Sequence, residues 1–398
     1  MSGVTLPRAT RHGRARTVDE HLADVLSLGP LGRLVDLAPA HALGRTLTSD
    51  LSRPVQLPGF ASSAMVGYAV RCADSPGRLA VVEDVPAGTL PTRALVPGTA
   101  ARVMTGAPLP AGTEAVVRQE DTDGGTAHVV VRVAVPPGAA VRPAGSDVVA
   151  GSTLVTAGQR VGPSQLAALL SAGITSVPVR SQPRVLVIST GSELVPAGTT
   201  PGPAQLVDSN RPALLAAVAE AGAEPVDGGC VADDVGALLA VLDAGAPAVD
   251  LVLTSGGVSV GAYDVTKAAL APRGVHFVSV SVQPGKPQAW GRIGRTAYLG
   301  LPGNPVSSLV GFELFVRPLL GRPRVVHRRR LAAPISGSPP GRRQLLRGRL
   351  DSAGTVAQVG GAGSHQLGQL AAADCLISLP EGVTEVAAGA EVDVLDLT

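Results

Sequence analysis

The sequence predicts a multidomain α/β protein whose main unit carries a parallel-dominated sheet, joined to a helical segment and two β-rich regions. Three observations predict this. From Arg184 onward, strand-length apolar runs alternate with helix-length segments, the pattern of a parallel sheet covered on both faces. Within that alternation, the apolar run Asp250–Thr254 empties into Ser255-Gly256-Gly257-Val258-Ser259-Val260-Gly261, and a helix-like segment opens at Asp264. The 49 glycines and 34 prolines favour many loops and short strands over long helices, and from Arg53 to about Pro143, and again beyond Arg322, short β-like runs replace helical periodicity.

The totals narrow the class. A chain of 398 residues should hold two to four domains. A hydrophobic fraction of 45% with 16% charged residues belongs to a folded chain, not a disordered one. Aromatic residues are only 2%, so Val, Leu and Ala must build the cores. A net charge of +2 argues for neither nucleic acid nor an anionic membrane. No apolar run approaches the ~20 residues of a membrane helix. The basic stretch Arg8 to Arg16 leads into a polar segment instead of a signal-peptide core. Cys72, Cys230 and Cys375 are odd in number and far apart, which suggests no metal site, no disulfide framework and a reducing, cytoplasmic location.

Taken in order, Thr17 with Glu20 three places on forms a capping box, and Leu22, Val25 and Leu26 follow at helical spacing. Short runs at Leu79–Val82, Ala115–Val117 and His128–Val135 predict a small β-rich domain. Pro163-Ser164 opens a helix over 162–173. Val185–Ser189 predicts a strand, and Asp208-Ser209-Asn210 caps a helix with Pro212 in its first turn. Glu224–Val231 predicts the next strand, Asp233-Asp234 opens a helix, and Asp250–Thr254, His276–Val282 and Ala297–Leu301 complete the set. A helix runs from about Pro305 to Leu320. The basic run His327–Arg330 is read as a solvated junction to a β-rich tail and not as a nucleic-acid patch.

The chemistry gathers at strand exits, where ligands of such sheets bind. A strand, a tight glycine loop and a helix start present unpaired backbone N–H groups and a dipole end to an anion. The loop lacks the Gly-Lys-Ser/Thr of a phosphate-binding Walker loop, and its Gly-Gly-x-x-x-Gly spacing is not a dinucleotide fingerprint. A plain tight turn is the alternative. Lys286, in Pro284-Gly285-Lys286-Pro287, suits a phosphate contact or is a solvated loop residue. Glu193, Asp233 and Asp264 would repel an anion unless a divalent cation bridges them to it, as hard oxygen ligands do for Mg²⁺. For Asp233 and Asp264 the alternative is helix capping. Ser63 and Ser259 have no His/Asp context that would make either a nucleophile.

Taken together, several motifs resemble one family, the molybdopterin molybdenumtransferases (MoeA-type molybdate insertases, including the E domain of gephyrin). They are Ser63–Ala69, Met104–Pro108 through Gln119-Glu120-Asp121, Gly145-Ser146-Asp147, Ser189–Leu194, Asp208–Arg211, Thr254–Asp264, Pro284–Pro287 and Gly300–Ser307, in the family's order. The resemblance implies a homodimer of four-domain subunits: a helical linker domain (1–49 and 143–182), an inserted β-rich domain (50–142), a molybdopterin-binding α/β domain (183–326) and a C-terminal β domain (327–398). It implies that adenylylated molybdopterin and molybdate, with Mg²⁺, give molybdenum cofactor and AMP, downstream of a molybdopterin adenylyltransferase. Carried over by position, Thr190, Ser255, Gly256, Gly257, Ser259, Gly261, Lys286, Pro302 and Asn304 would bind substrate. Thr105 would also bind substrate, its motif and that of Ser63 closing the site, and Asp147, Glu193 and Asp264 would be catalytic. Glu193, Asp233 and Asp264 would hold the metal.

The chain departs from the family pattern at Val66, where the motif Ser-Ala-Met-Asp-Gly-Tyr-Ala has its aspartate. It departs again at Ser192, Ala262, Ser279 and Gln283. Valine neither coordinates a cation nor accepts a proton, so a second reading is a catalytically weakened paralogue that binds pterin or acts as a scaffold. A third, a molybdopterin adenylyltransferase, is disfavoured because that activity needs only the α/β unit.

Overall fold

The computed structural model describes residues 15–52, 56–259 and 264–397. Most of the stretch Arg8 to Arg16 lies outside them. The chain forms two compact units, Leu34–Arg180 and the remainder on either side of it.

The Leu34–Arg180 unit is built on a five-stranded sheet in the order Ala115–Arg118, Gly67–Val70, Thr99–Val103, Gly77–Val85, His128–Val131. Strand Gly67–Val70 is buried throughout because both faces of the sheet are covered. Successive side chains point to opposite faces, so Tyr68 and Val70 join one core with Leu79, Val117 and Val129. Ala69 joins the other with Val85, Val103 and Val116. A third core forms where Leu34–Leu37 pairs antiparallel with Val177–Arg180, and Leu169 of helix Pro163–Ser171 packs on Val177 and Val179.

The other unit holds a six-stranded sheet in the order Glu224–Val231, Arg184–Thr190, Leu251–Ser255, Thr296–Leu301, Pro287–Ile293, His276–Ser279. The first four strands are parallel, and Pro287–Ile293 runs antiparallel to both of its neighbours. Strand alternation again divides the apolar residues. Val185, Val187, Leu251 and Leu253 face helices Asn210–Glu220 and Pro305–Gly311, whereas Leu186, Ile188 and Val252 face Val235–Gly245 and Val265–Leu270. Helix Val18–Leu26 adds Val18 and Val25 to the first of these cores, and both bonds of the predicted Thr17–Glu20 capping box are present.

Two elements differ from expectation. Pro287–Ile293 is a strand, although its opening Pro287 belongs to a Pro-Gly-Lys-Pro stretch that reads as a loop. The single strand expected at His276–Val282 is broken at Val280, whose N–H bonds back to Lys286 O at 2.7 Å. Val282–Gln283 then pairs in parallel with Arg343 and Gln344, joining the edge of the C-terminal sheet. That sheet continues Arg343–Leu350, Cys375–Leu379, Glu391–Asp396, Val326–Arg330. In it the basic run is one strand, with Arg328 beside Glu391 and Asp393 at 3.5 and 3.4 Å. No helix among the described residues is long and apolar enough to cross a membrane.

His21, 1% exposed, packs edge-on to Phe315 at 4.6 Å between centroids. Burial, reinforced by Arg16, lowers its pKa to about 3. Between about 3 and the unfolded value of 6.5, the unfolded chain therefore binds the extra proton. The imidazole's contribution is complete above pH 6.5 and is lost as the pH falls. Going from pH 7 to 5 should cost about 2 kcal/mol through this residue. Unfolding midpoints against pH for wild type and His21→Leu check this, and equal slopes would refute it.

Candidate functional site

One cavity of ≈ 1130 Å³ opens at the carboxyl ends of the parallel strands. Its floor is the end of strand Leu251–Ser255 and the glycine turn after it. Gly256 has φ +99° and Gly257 φ +66°. A Cβ on Gly257 would lie 2.0 Å from Thr266 Oγ1, and one on Gly256 2.6 Å from the Thr190 carbonyl oxygen. The turn therefore requires glycine at both places, for backbone conformation and for space.

Ser255, buried at 2% exposure, is tied into the neighbouring strand exits. Its hydroxyl accepts from Asn210 Nδ2 at 2.9 Å and lies 3.2 Å from Ser308 Oγ. Asn210 also donates to Gly303 O at 2.7 Å, clamping the Pro302-Gly303-Asn304 turn to the glycine loop. Beneath them Asp208, 1% exposed, accepts from Ser189 Oγ at 2.9 Å and pairs with Arg211 at 3.0 Å.

The cavity brings together Thr190, Glu193, Asp233, Ser255, Gly256, Gly257, Ser259, Asp264, Lys286, Pro302 and Asn304. Gly261 and the departure at Ala262 lie outside the described residues. The capping alternatives resolve against capping. Asp234 caps helix Val235–Gly245 through Ala237 N at 2.6 Å, while Asp233 exchanges bonds with Ser192, accepting from its N–H at 3.1 Å and donating to its Oγ at 2.9 Å. Asp264 stands at the cap position of Val265–Leu270 without making a side-chain cap bond.

Asp264 Oδ1 is buried and has no hydrogen-bond partner among the described residues, as is Thr190 Oγ1. Burial pushes the Asp264 carboxyl up and Asp233 adds to this, against a Ser259 backbone N–H and Lys267. Such a carboxylate is short of positive charge, which suits a cation. Among the described residues no three acidic, His or Cys side chains converge on one metal position. Mg²⁺ needs no such cage, since it keeps waters and takes one or two carboxylates with substrate phosphates.

Reading the sequence missed the opposite wall. Arg342, Ser364 and His365 line the same cavity. Arg342 is brought there by the pairing of Val282–Gln283 with Arg343–Gln344, sealed by Gln344 Nε2 on Gln283 Oε1 at 3.0 Å, and Ser364 and His365 by a bond from Val306 N to Ser364 O at 3.1 Å. The run Gly360-Gly361-Ala362-Gly363 before Ser364 was the available signal.

Thr105 and Asp147 belong to the other unit. There Gly106 N donates to Ser63 O at 2.8 Å, Ser63 N to Ala107 O at 3.0 Å and Gln119 N to Val66 O at 3.4 Å, so three of the β-domain motifs meet at one place. Val66 is 37% exposed. Asp147 is exposed on a loop held by its N–H to Leu57 O at 3.1 Å.

Comparison with known proteins agrees over most of the chain. Residues 16–173 match the MoeA N-terminal region (domain I and II), 186–322 the probable molybdopterin binding domain, and 328–397 the MoeA C-terminal region (domain IV). Molybdopterin molybdenumtransferase 2 of Mycobacterium tuberculosis is 44% identical, over 96% of this chain and 100% of its own. Molybdopterin molybdenumtransferase 1 of that organism is 35% identical, over 95% and 98%. A crystal structure of a molybdopterin biosynthesis MoeA protein from Pyrococcus horikoshii superposes with TM-score 0.81 at 32% identity, covering 97% of this chain and 100% of the other. The chain belongs to the MoeA family of molybdopterin molybdenumtransferases, transferases of molybdenum cofactor biosynthesis.

Proposed function

We propose that this chain inserts molybdate into adenylylated molybdopterin in the presence of Mg²⁺, releasing AMP and molybdenum cofactor. One observation carries the reading. A single cavity sets the glycine loop, two cationic side chains, Lys286 and Arg342, and four carboxylates, Glu193, Asp233, Asp264 and the Arg211-paired Asp208, around one volume. Anion-binding groups and carboxylates in the same space are reconciled by a phosphate-bearing substrate with a divalent cation. In this reading Thr190, Ser255, Gly256, Gly257 and Ser259 hold the phosphate, and Lys286 and Arg342 hold anionic oxygens as charge-assisted donors. Pro302 and Asn304 shape the wall beside them. Mg²⁺ would be held by Asp264 and one neighbouring carboxylate, Asp233 or Glu193, with substrate oxygens and water completing its shell, and would supply neutralisation of the charge that gathers on the leaving phosphate. The test is AMP release from adenylylated molybdopterin supplied with molybdate and Mg²⁺. No AMP from protein that binds the substrate would overturn it.

Ser63, Thr105 and Asp147, on the other unit, are assigned to the same reaction through a homodimer, with a molybdopterin adenylyltransferase supplying the substrate. Val66 favours the second reading, a weakened copy that keeps binding. At 37% exposure a carboxylate at position 66 would keep contact with water, and the two side chains are of similar volume. Val66→Asp should therefore fold normally and speed AMP release at least tenfold, ~1.4 kcal/mol in the barrier. Equal rates would pass the aspartate's role to Asp147 or Glu193. Binding without turnover in both proteins would favour the scaffold.

A further inference from the structure

Arg347, in strand Arg343–Leu350, is 1% exposed and among the largest fully buried side chains of the molecule. Its guanidinium faces four neutral oxygens. Nη1 donates to Gly363 O at 3.1 Å, and Nη2 donates to Gly361 O, to Gln366 Oε1 at 2.8 Å and to Gln369 Oε1 at 3.2 Å. The two glutamine oxygens are shared. Gln369 Oε1 also accepts from Gly361 N at 3.2 Å, and Gln366 Oε1 from Gly363 N at 3.2 Å. One buried cation thus organises both the carbonyls and the N–H groups of a segment that is neither helix nor strand.

Stability does not explain an arginine here. A charge taken out of water costs several kcal/mol, and apolar residues of similar volume often serve a fold as well or better. The segment it gathers is where the difference lies. Ala362, Gly363, Ser364 and His365 line the cavity facing Lys286 and the glycine loop. Ser364 O accepts from Val306 N at 3.1 Å, docking the segment on the first turn of helix Pro305–Gly311 directly after Asn304.

Building on the function proposed above, we propose that Arg347 is a positioning residue of the transferase: it holds Ser364 and His365 in the wall of the substrate cavity without touching substrate. Side chains held on an irregular segment are only as well placed as the segment, and misplacement of about 1 Å can cost 10²-fold.

The test compares Arg347→Gln and Arg347→Lys with a control in the same sheet, Ile377→Val or Ile377→Ala, chosen to match Arg347→Gln in urea midpoint. AMP and molybdate are titrated into each protein by calorimetry, and hydrogen exchange is followed at Gly361 and Gly363. Arg347→Gln should weaken AMP or molybdate at least tenfold relative to the matched control and speed exchange at both glycines at least tenfold. Arg347→Lys should recover part of each. Affinities equal to those of the control overturn the proposal, as does unchanged exchange. Lys286→Ala separates the two levels. If it weakens binding and Arg347→Gln does not, only the positioning role falls. If Lys286→Ala also leaves both affinities unchanged, the cavity assignment itself fails and the role of Arg347 with it.

Discussion

Replacing Gly257 by alanine should weaken AMP binding about 10²-fold, ~3 kcal/mol, and lower stability by about 2–5 kcal/mol. Two separate penalties combine. At φ +66° an L-residue is left-handed, which costs roughly 1–2 kcal/mol. The new methyl would also meet Thr266 Oγ1 at 2.0 Å and Thr266 Cβ at 2.8 Å. Thr266 is fully buried in the first turn of helix Val265–Leu270, so it cannot swing aside, and overpacking of this kind costs about 1–3 kcal/mol. The loop can relieve the clash only by shifting the backbone that lines the cavity. Adding Thr266→Ala removes the hydroxyl but neither the Cβ contact nor the φ penalty. The double variant should regain part of the stability and little of the affinity. Gly257→Ala binding AMP with wild-type affinity would show that the loop is a plain turn.

How much of this was legible beforehand depends on how local the signal is. Thr17 and Glu20 declare a helix start within four residues, and both bonds form. Val185 to Ile188 is apolar at consecutive positions, which only a strand covered on both faces tolerates, and its residues divide between two cores. The acidic residues at strand exits could be placed because the topology of a parallel sheet fixes its ligand-binding end. Strand Pro287–Ile293 could not be seen, because Pro287 and Gly291 are signals of breaks and its pairing with Thr296–Leu301 on one side and His276–Ser279 on the other is what overrides them. Arg342, Ser364 and His365 were missed for a related reason. Arg342 reaches the cavity through a two-residue strand pairing and Ser364 through a single backbone bond to Val306, each across some 60 positions, and no periodicity in these segments announces a partner so far away. The glycine-loop side of the cavity was thus readable from the sequence, while the wall contributed by the C-terminal sheet required the fold.

Asp264→Asn should lower the rate of AMP release by about 10²–10³, or ~3–4 kcal/mol, while leaving the protein as stable as wild type or slightly more so. The opposite signs follow from one fact. Burial pushes the Asp264 carboxyl up, so at neutral pH the folded chain carries a carboxylate that it disfavours relative to the unfolded chain. A neutral amide of the same shape removes that cost. Oδ1 has no partner among the described residues, and Asp264 makes no side-chain cap bond, so folding loses little else with the charge. What is lost is the charge offered to a cation, and the Mg²⁺ concentration for half-maximal AMP release should rise with it. If Asp264 were merely a structural carboxylate, stability and rate would fall together and the Mg²⁺ dependence would stay put. An unchanged rate with an unchanged Mg²⁺ dependence would move the metal to Glu193 and Asp233, and Asp233→Asn should then produce the shift instead.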